Sequence, residues 1–381
     1  MAAFLDIAPE AVRRLVDGIA ELYHSSNAYH NVHHATDVLQ ALYVLLADLG
    51  ALPKLVATGH SEWDARHSPV APLDALALLF AAIGHDAGHP GLSNAYLGNA
   101  EAPIATAFRC AAPHHDASVS SASSPAAASP AARAPEGSPL ESYHVLLLEG
   151  LLERCGLSQL TWAASGSRSE LGSLIRTCVL ATDMAIHARF VEELEAFERR
   201  LYGDDGAPST PAERAALIRA RPREERTLLC SALLKCADVS NPVRVRSIGR
   251  RWSLALRREW ERQSALEAEC GLPATVGGGA VACKHKHGPH KTHAGTAPLP
   301  NATTGDEEGL RRTSAAQMVA QIGGGGGAAA DSAELSVDAL VAAGELHEER
   351  SLARGQVAFV RFFVTPLLDT LARIVPGEWH H

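Results

Sequence analysis

Apolar residues recur at spacings of three and four in segment after segment of this chain, and no alternation of apolar and polar residues persists long enough to build a sheet. Within residues 11–24, Val12, Leu15, Val16, Ile19 and Leu22 share one helical face. The same period returns at about 37–49, 74–84, 143–154, 169–180, 185–201, 226–236, 247–266 and 352–374. Stripes of this kind are buried by packing helix on helix. The expected fold class is therefore all-α, with about a dozen or more helices.

Two stretches break the pattern. Residues 111–139 are mostly Ala, Ser and Pro, and residues 273–333 hold Gly runs and a Cys/His/Lys tract. Neither carries enough apolar surface to offset the entropy of ordering it. Both read as flexible insertions in a single domain over 1–381, with a core at about 27–376. Two domains joined by linkers are the alternative, since 381 residues exceed the usual length of one domain. The single-domain reading is preferred because the residues that carry chemistry come from both sides of the insertions.

Charge and composition exclude several classes. Lys and Arg number 34 against 43 Asp and Glu, a net charge of −9, which argues against a nucleic-acid surface. No apolar run reaches the roughly 18–20 residues that span a bilayer. The opening MAAFLDIAPE lacks the basic and apolar regions of a signal peptide. The 7 cysteines form no CxxC pair and read as free thiols in a reducing compartment. The expectation is a cytoplasmic protein, or the soluble part of a larger membrane-linked gene product; an oligomer is compatible with either.

Histidine, at 19 residues, is abundant and clustered. Tyr29-His30-Asn31-Val32-His33-His34 precedes Asp37, and His30 and His34 are one turn apart. His85-Asp86-Ala87-Gly88-His89-Pro90-Gly91 follows the apolar run LALLFAAIG, where Pro-Gly ends a helix. Ala181-Thr182-Asp183-Met184 has His187 one turn on, and Cys236-Ala237-Asp238-Val239-Ser240-Asn241-Pro242 ends another apolar helix. Each alone is weak: a lone His-Asp pair is usually a cap, and a lone His a satisfied core residue. Together they would be costly to bury unless paired or bound to metal. His plus carboxylate suits Zn²⁺ or another first-row ion, and carboxylate plus water suits Mg²⁺ or Mn²⁺.

In the order YHNxxHAxDV, HDxxHPG, LATDM, CADxSNP and QVxF, the chain resembles the catalytic domain of the class I 3′,5′-cyclic-nucleotide phosphodiesterases, within the HD-type metal phosphohydrolases. The resemblance covers about Asn27 to Pro376 without the two insertions. It implies a compact all-α catalytic domain that hydrolyses cAMP, cGMP or both to nucleoside 5′-monophosphates in cyclic-nucleotide signalling. It also implies two divalent metals. His34, His85, Asp86 and Asp238 would ligate the tighter ion, usually zinc. Asp86 would bridge to a second ion, Mg²⁺ or Mn²⁺, whose water shell is anchored by His89, Glu141 and Thr182. A bridging hydroxide would attack phosphorus, His30 would be the general acid, and Glu141 would orient its imidazole.

The same resemblance implies a purine pocket. Gln356 can donate and accept at once, matching a purine edge, and Phe359 shares its helix face on a last helix running to about Arg373. Leu256 would be the opposing jaw and Trp260 an extension of it. Asn241 would hydrogen-bond the base and Tyr29 would line the pocket, and Asn241 leans the expected preference slightly toward cAMP. His144 would contact phosphate or the acid. Core packing is the competing reading for Leu256, Trp260 and Phe359.

Several positions depart from the family pattern. Gly88 stands where Asp is usual, so the metal-binding segment is expected to be looser. ENHH appears as Glu141-Ser142-Tyr143-His144, and Ala358 replaces a Gly. The His-rich tract at 283–293 could bind metal but reads better as a solvated loop, and RRTS at 311–314 is a short phosphorylation-like motif. The competing functions are another HD-type nucleotide phosphohydrolase, a cyclic-nucleotide-binding module without turnover, and, more distantly, a metal-storage or scaffold role.

Overall fold

The computed structural model describes residues 7–54, 67–109, 138–203, 206–208, 210–276 and 349–376. In chain order the helices are α1 (Pro9–Leu22), α2 (Val32–Asp48), α3 (Pro72–Gly84), α4 (Asn94–Asn99), α5 (Pro103–Arg109), α6 (Pro139–Arg154), α7 (Glu170–Leu180), α8 (His187–Tyr202), α9 (Pro211–Arg219), α10 (Arg223–Asp238) and α11 (Arg246–Cys270). The last helix, α12, runs over residues 349–374. Among the described residues the one extended pairing is an isolated antiparallel bridge between Trp162 and Arg168. The all-α expectation holds.

The core is built around α3 and α10. The α3 sequence PLDALALLFAAIG is apolar on every side, and residues Ala75 through Gly84 are almost all buried. In α10, every residue from Leu228 to Ala237 is buried. These two pack on each other, on α2 and on α7; α6 packs on α1, α5 and α7, and the end of α12 packs on α8 and α10. Each central helix delivers chemistry at its C-terminus: α3 runs straight into His85-Asp86, and α10 ends on Asp238. Helix C-termini carry partial negative charge, which favours a cation at this spot.

Helix boundaries depart from the apolar periodicity in interpretable ways. The second helix begins at Val32 because Asn31 caps it, its side chain accepting from the amides of His33 and His34. The short helices α4, α5 and α9 have too few turns to register as a period. Val16 is 44% exposed, because α1 buries the line Ala11, Leu15, Ile19 and leaves Val16 on the flank.

α12 is not a uniform α-helix: Val360–Val364 forms a π turn. Pro366 follows directly. Its ring would clash with the carbonyl four residues back and it has no N–H to donate, and widening the preceding turn relieves both.

The insertion boundaries shift by a few residues. Ser138 is buried and Pro139 opens α6, so these two residues, expected in the first insertion, belong to the folded domain. Thr275 is hydrogen-bonded to Gln263 and Glu267, and Val276 O accepts from Ser264, so these residues, expected in the second insertion, are tied to α11. The rest of both insertions, the 283–293 tract and RRTS lie outside the described residues. Of the cysteines, Cys155, Cys178, Cys230, Cys236 and Cys270 are free thiols. Among the described residues no helix is long and apolar enough to cross a membrane.

Candidate active site

Three chain segments meet beyond the ends of α3 and α10. Asn27 joins two of them: its Nδ2 donates to His30 O (2.9 Å) and to His89 O (2.7 Å). Tyr23, buried, donates its hydroxyl to Ile83 O (2.9 Å) and accepts from the Asp86 amide (3.3 Å), fixing the turn that leaves α3.

Four side-chain atoms converge there. His34 Nε2 lies 3.0 Å from Asp238 Oδ1 and 3.7 Å from Asp86 Oδ2; His85 Nε2 lies 3.2 Å from Asp86 Oδ2 and 3.4 Å from Asp238 Oδ1. A tetrahedral ion with ligand bonds of about 2.0–2.1 Å has edges of about 3.4 Å. His85 Nδ1 donates to Ala82 O (2.8 Å), which turns Nε2 toward the carboxylates. That buried Nε2 has no hydrogen-bond partner. Burial opposes a charge on His85, but Asp86 and Asp238 outweigh it and raise the ring's pKa well above normal. Burial likewise opposes ionisation of Asp238, and His34 and His85 outweigh it, so its carboxyl is held well below the usual range. The set is anionic, with the four His–carboxylate distances between 3.0 and 3.7 Å, and it fits a divalent cation with His and carboxylate ligands.

A second group adjoins the first through the other oxygen of Asp86. Ligand atoms of Asp86, His89 and His144 lie within 4.8 Å of one another. His144 Nδ1 donates to Ala87 O (2.7 Å), which turns Nε2 toward Asp86 Oδ1 at 3.9 Å. Burial pushes the His144 pKa down to about 4, so the ring is neutral. His89 Nδ1 accepts from the Gly91 amide (3.0 Å), which places its ring proton on Nε2.

His30 stacks on His89 with centroids 3.9 Å apart and planes 13° apart. Burial and then the charge of His30 push the His89 pKa well down. His30 goes the other way: burial opposes its charge, but the Glu259 carboxylate outweighs that and raises its pKa. Glu259 comes from α11 and is buried. Its Oε2 accepts from the amides of Tyr29 (2.9 Å) and His30 (3.1 Å), and its Oε1 pairs with His30 Nδ1. The carboxylate that orients His30 is thus Glu259 and not Glu141.

Glu141 is drawn elsewhere: Asn94 Nδ2 donates to it (2.9 Å), while Asn94 Oδ1 accepts from the amide of Leu140 (3.0 Å) at the start of α6. Burial, with Asp183 adding, pushes the Glu141 carboxyl up to about 8. The Thr182 hydroxyl donates to Val179 O (2.8 Å), inside the end of α7.

The aromatic side of the site was only partly legible in sequence. Tyr29 packs on His34 (centroids 4.5 Å), and Trp252 stands edge-on to both, at 5.6 Å from Tyr29 and 5.8 Å from His34. Trp252 was missed, although it lies one turn before Leu256 and two before Trp260 on the same α11 face. Asn241, buried, donates Nδ2 to the Tyr29 hydroxyl (2.5 Å). Gln356 Nε2 donates to Gly249 O (3.1 Å) and to Ser253 Oγ, tying α12 to α11 one turn before Leu256. Phe359 is half-buried and stacks on Phe363 (5.1 Å, 29°). Leu256 and Trp260 are half-buried on α11.

A family model for 3′5′-cyclic nucleotide phosphodiesterases matches residues 29–287. The chain belongs to the 3′,5′-cyclic nucleotide phosphodiesterase family. It is 27% identical over 266 residues to the 3′,5′-cyclic-nucleotide phosphodiesterase regA of Dictyostelium discoideum, covering 70% of this chain and 26% of that protein. It is 28% identical over 254 residues to the rat 3′,5′-cyclic-AMP phosphodiesterase 4C, covering 66% of this chain and 37% of the relative. The chain therefore spans about a quarter to a third of these relatives' lengths. The crystal structure of the phosphodiesterase domain of the Salpingoeca rosetta rhodopsin phosphodiesterase shares the fold, with a TM-score of 0.58 and 21% identity, covering 98% of this chain and 76% of that one. Yeast caPDE2 aligns with a TM-score of 0.51 and 26% identity, over 70% of this chain and 46% of that one.

The two departures from the resembled pattern, Gly88 and Tyr143, meet in space. Gly88 has φ +74°, and a Cβ built on it would lie 2.4 Å from Leu147 Cδ1 and 3.0 Å from Tyr143 Cε1. The volume of the missing side chain is filled by Tyr143 and Leu147, so the segment is repacked and not loosened. Gly88→Asp, the change toward the family residue, is expected to destabilise by about 1–3 kcal/mol through overpacking. Thermal unfolding checks this, and an unchanged or higher midpoint would contradict it.

Proposed function

We propose that this domain hydrolyses 3′,5′-cyclic nucleotides to 5′-monophosphates, with cAMP preferred over cGMP. The observation that carries the reading is the His30–Glu259 pair standing beside the His34, His85, Asp86 and Asp238 group. His34, His85, Asp86 and Asp238 would hold a zinc ion; Asp86, with the His89, His144, Glu141 and Thr182 side of the site, would hold Mg²⁺ or Mn²⁺. Bound ions would supply charge neutralisation at the phosphoryl group and a water of lowered pKa. The protein's own groups do the rest. His30 keeps its proton because Glu259 holds Nδ1, which leaves Nε2–H to protonate the O3′ leaving group. Neutral His89 stacks beneath His30, adding no second charge, and offers Nε2–H as a donor.

Phe359 and Leu256 would clamp the purine, with Trp260 and Tyr29 along the wall. Gln356 spends its NH₂ on Gly249 and Ser253, and Asn241 gives Nδ2 to Tyr29. Their carbonyl oxygens are left to meet the base, and two acceptors suit the amino group of adenine better than the carbonyl of guanine. Relatives named as cAMP phosphodiesterases, such as rat 4C and human 8A, agree with this preference.

Steady-state kinetics on cAMP and cGMP, with zinc and either Mg²⁺ or Mn²⁺ present, tests the proposal. The expected result is 5′-AMP release with the higher kcat/KM for cAMP. Binding of nucleotide without product from either substrate would overturn the enzymatic reading and favour a binding module. In the same assay, Phe359→Ala is expected to raise KM by roughly 5- to 150-fold, the loss of one base-stacking contact worth about 1–3 kcal/mol, with kcat largely kept. An unchanged KM would return Phe359 to the role of a packing residue.

A further inference from the structure

Lys235 is 0% exposed and lies one turn before Asp238 on α10. Burying an ammonium ion is costly unless all of its protons are satisfied. Here the three acceptors are consecutive backbone carbonyls: Ala181 O at 2.8 Å, Thr182 O at 3.3 Å and Asp183 O at 3.0 Å. The side chain also passes over the ring of Phe190, with Nζ 5.8 Å from its centroid. Among the described residues no carboxylate forms a direct ion pair with Lys235; its charge is matched by the turn that closes α7.

That turn is connected onward. Asp183 accepts from the Ala185 amide (2.8 Å) through Oδ1 and from the Ser138 hydroxyl through Oδ2. Ser138 is the residue at the N-cap of α6, and its carbonyl accepts from the Ser142 amide (3.1 Å). The first turns of α6 carry Glu141 and His144, and His144 faces Asp86 Oδ1. A continuous path of hydrogen bonds therefore runs from the helix bearing Asp238, through Lys235, the 181–183 turn, Asp183 and Ser138, to the helix bearing His144.

We propose that Lys235 is a positioning residue that sets α6, with Glu141 and His144, in register with the His34/His85/Asp86/Asp238 group. The inference rests on the two-ion reading above. It makes the second ion, not the first, depend on the Lys235 clamp. The four ligands of the first come from α2, the end of α3 and Asp238, and none of them is reached through the 181–183 turn.

The test compares wild type, Lys235→Met and Ser138→Ala. Ser138→Ala cuts the same path two links away without removing a buried charge, and serves if Lys235→Met does not fold. Zinc content after gel filtration is measured by elemental analysis, Mn²⁺ binding by electron paramagnetic resonance, and folding by thermal unfolding. Wild type is expected to retain one zinc and to bind Mn²⁺ at a second site. Each folded variant is expected to keep its zinc and to bind Mn²⁺ roughly 10- to 100-fold more weakly, the range for outer-shell partners of a metal site. Unchanged Mn²⁺ affinity in a folded variant, or zinc and Mn²⁺ weakened to the same extent, would overturn the positioning role. A wild-type protein with no second Mn²⁺ site would instead overturn the two-ion reading on which the proposal stands.

Discussion

Replacing His30 with alanine is expected to lower kcat for cyclic-nucleotide hydrolysis by about 10²–10⁴-fold, the usual contribution of a positioned proton donor. KM is expected to change little, because in the proposed mechanism the ring would meet the leaving oxygen and not the base. The pH profile gives a second readout. The Glu259 carboxylate raises the His30 pKa despite burial, so the protonated donor persists above the ordinary histidine pKa of about 6.5 and is lost as pH rises through the raised value. Glu259→Gln removes the charge that holds the proton and keeps the shape. It is expected to lower kcat and to move the alkaline limb of kcat against pH to lower pH. An alkaline limb that does not move would show that His30 is not the group titrating there.

Replacing Asp238 with alanine is expected to lower the affinity for the first ion by more than about 100-fold, since even outer-shell partners cost 10- to 100-fold. Turnover should fall to the background of the assay. Asp238 Oδ1 lies 3.0 Å from His34 Nε2 and 3.4 Å from His85 Nε2. Without it both rings face a single remaining carboxylate, Asp86. Zinc content after gel filtration checks the prediction, and a variant that retained a full equivalent would exclude Asp238 as a ligand. The metal-free protein offers a related test. The carboxyls of Asp86 and Asp238 are both held well below the usual range, burial being outweighed by the neighbouring histidines. A depressed folded pKa contributes stability above the ordinary carboxylate value and loses it as pH falls through the folded value. The unfolding midpoint of the metal-free protein should therefore fall on acidification, and fall less in Asp238→Asn.

Much of the candidate site is legible in the sequence, and what is not has a common cause. His30, His34, His85, Asp86, His89 and Asp238 lie in short motifs whose spacing marks them, and the structure brings all of them together. Glu259 sits among charged residues in RREWERQ, where nothing separates a buried partner of an imidazole from a solvated helix face. Only the packing of α11 against the 29–30 segment makes it one. Lys235 has the same history, a charged residue in an apolar run whose acceptors lie more than fifty positions away. The assignment of Glu141 to His30 failed because Asn94 draws the start of α6 toward α4. The expectation that Gly88 would loosen its segment failed because Tyr143 and Leu147 occupy the space.

From the chain's order of residues alone came the helical class and the His/Asp motifs of the candidate metal site. Both depend on local spacing: the turn of a helix places residues three and four apart on one face, and a cap or a Pro-Gly pair ends it there. The folded arrangement alone decided which acid holds His30, what fills the hollow at Gly88, and how a buried lysine is neutralised. Those outcomes turn on contacts between residues far apart along the chain, where burial and close approach, and not periodicity, determine which charged or bulky group meets which.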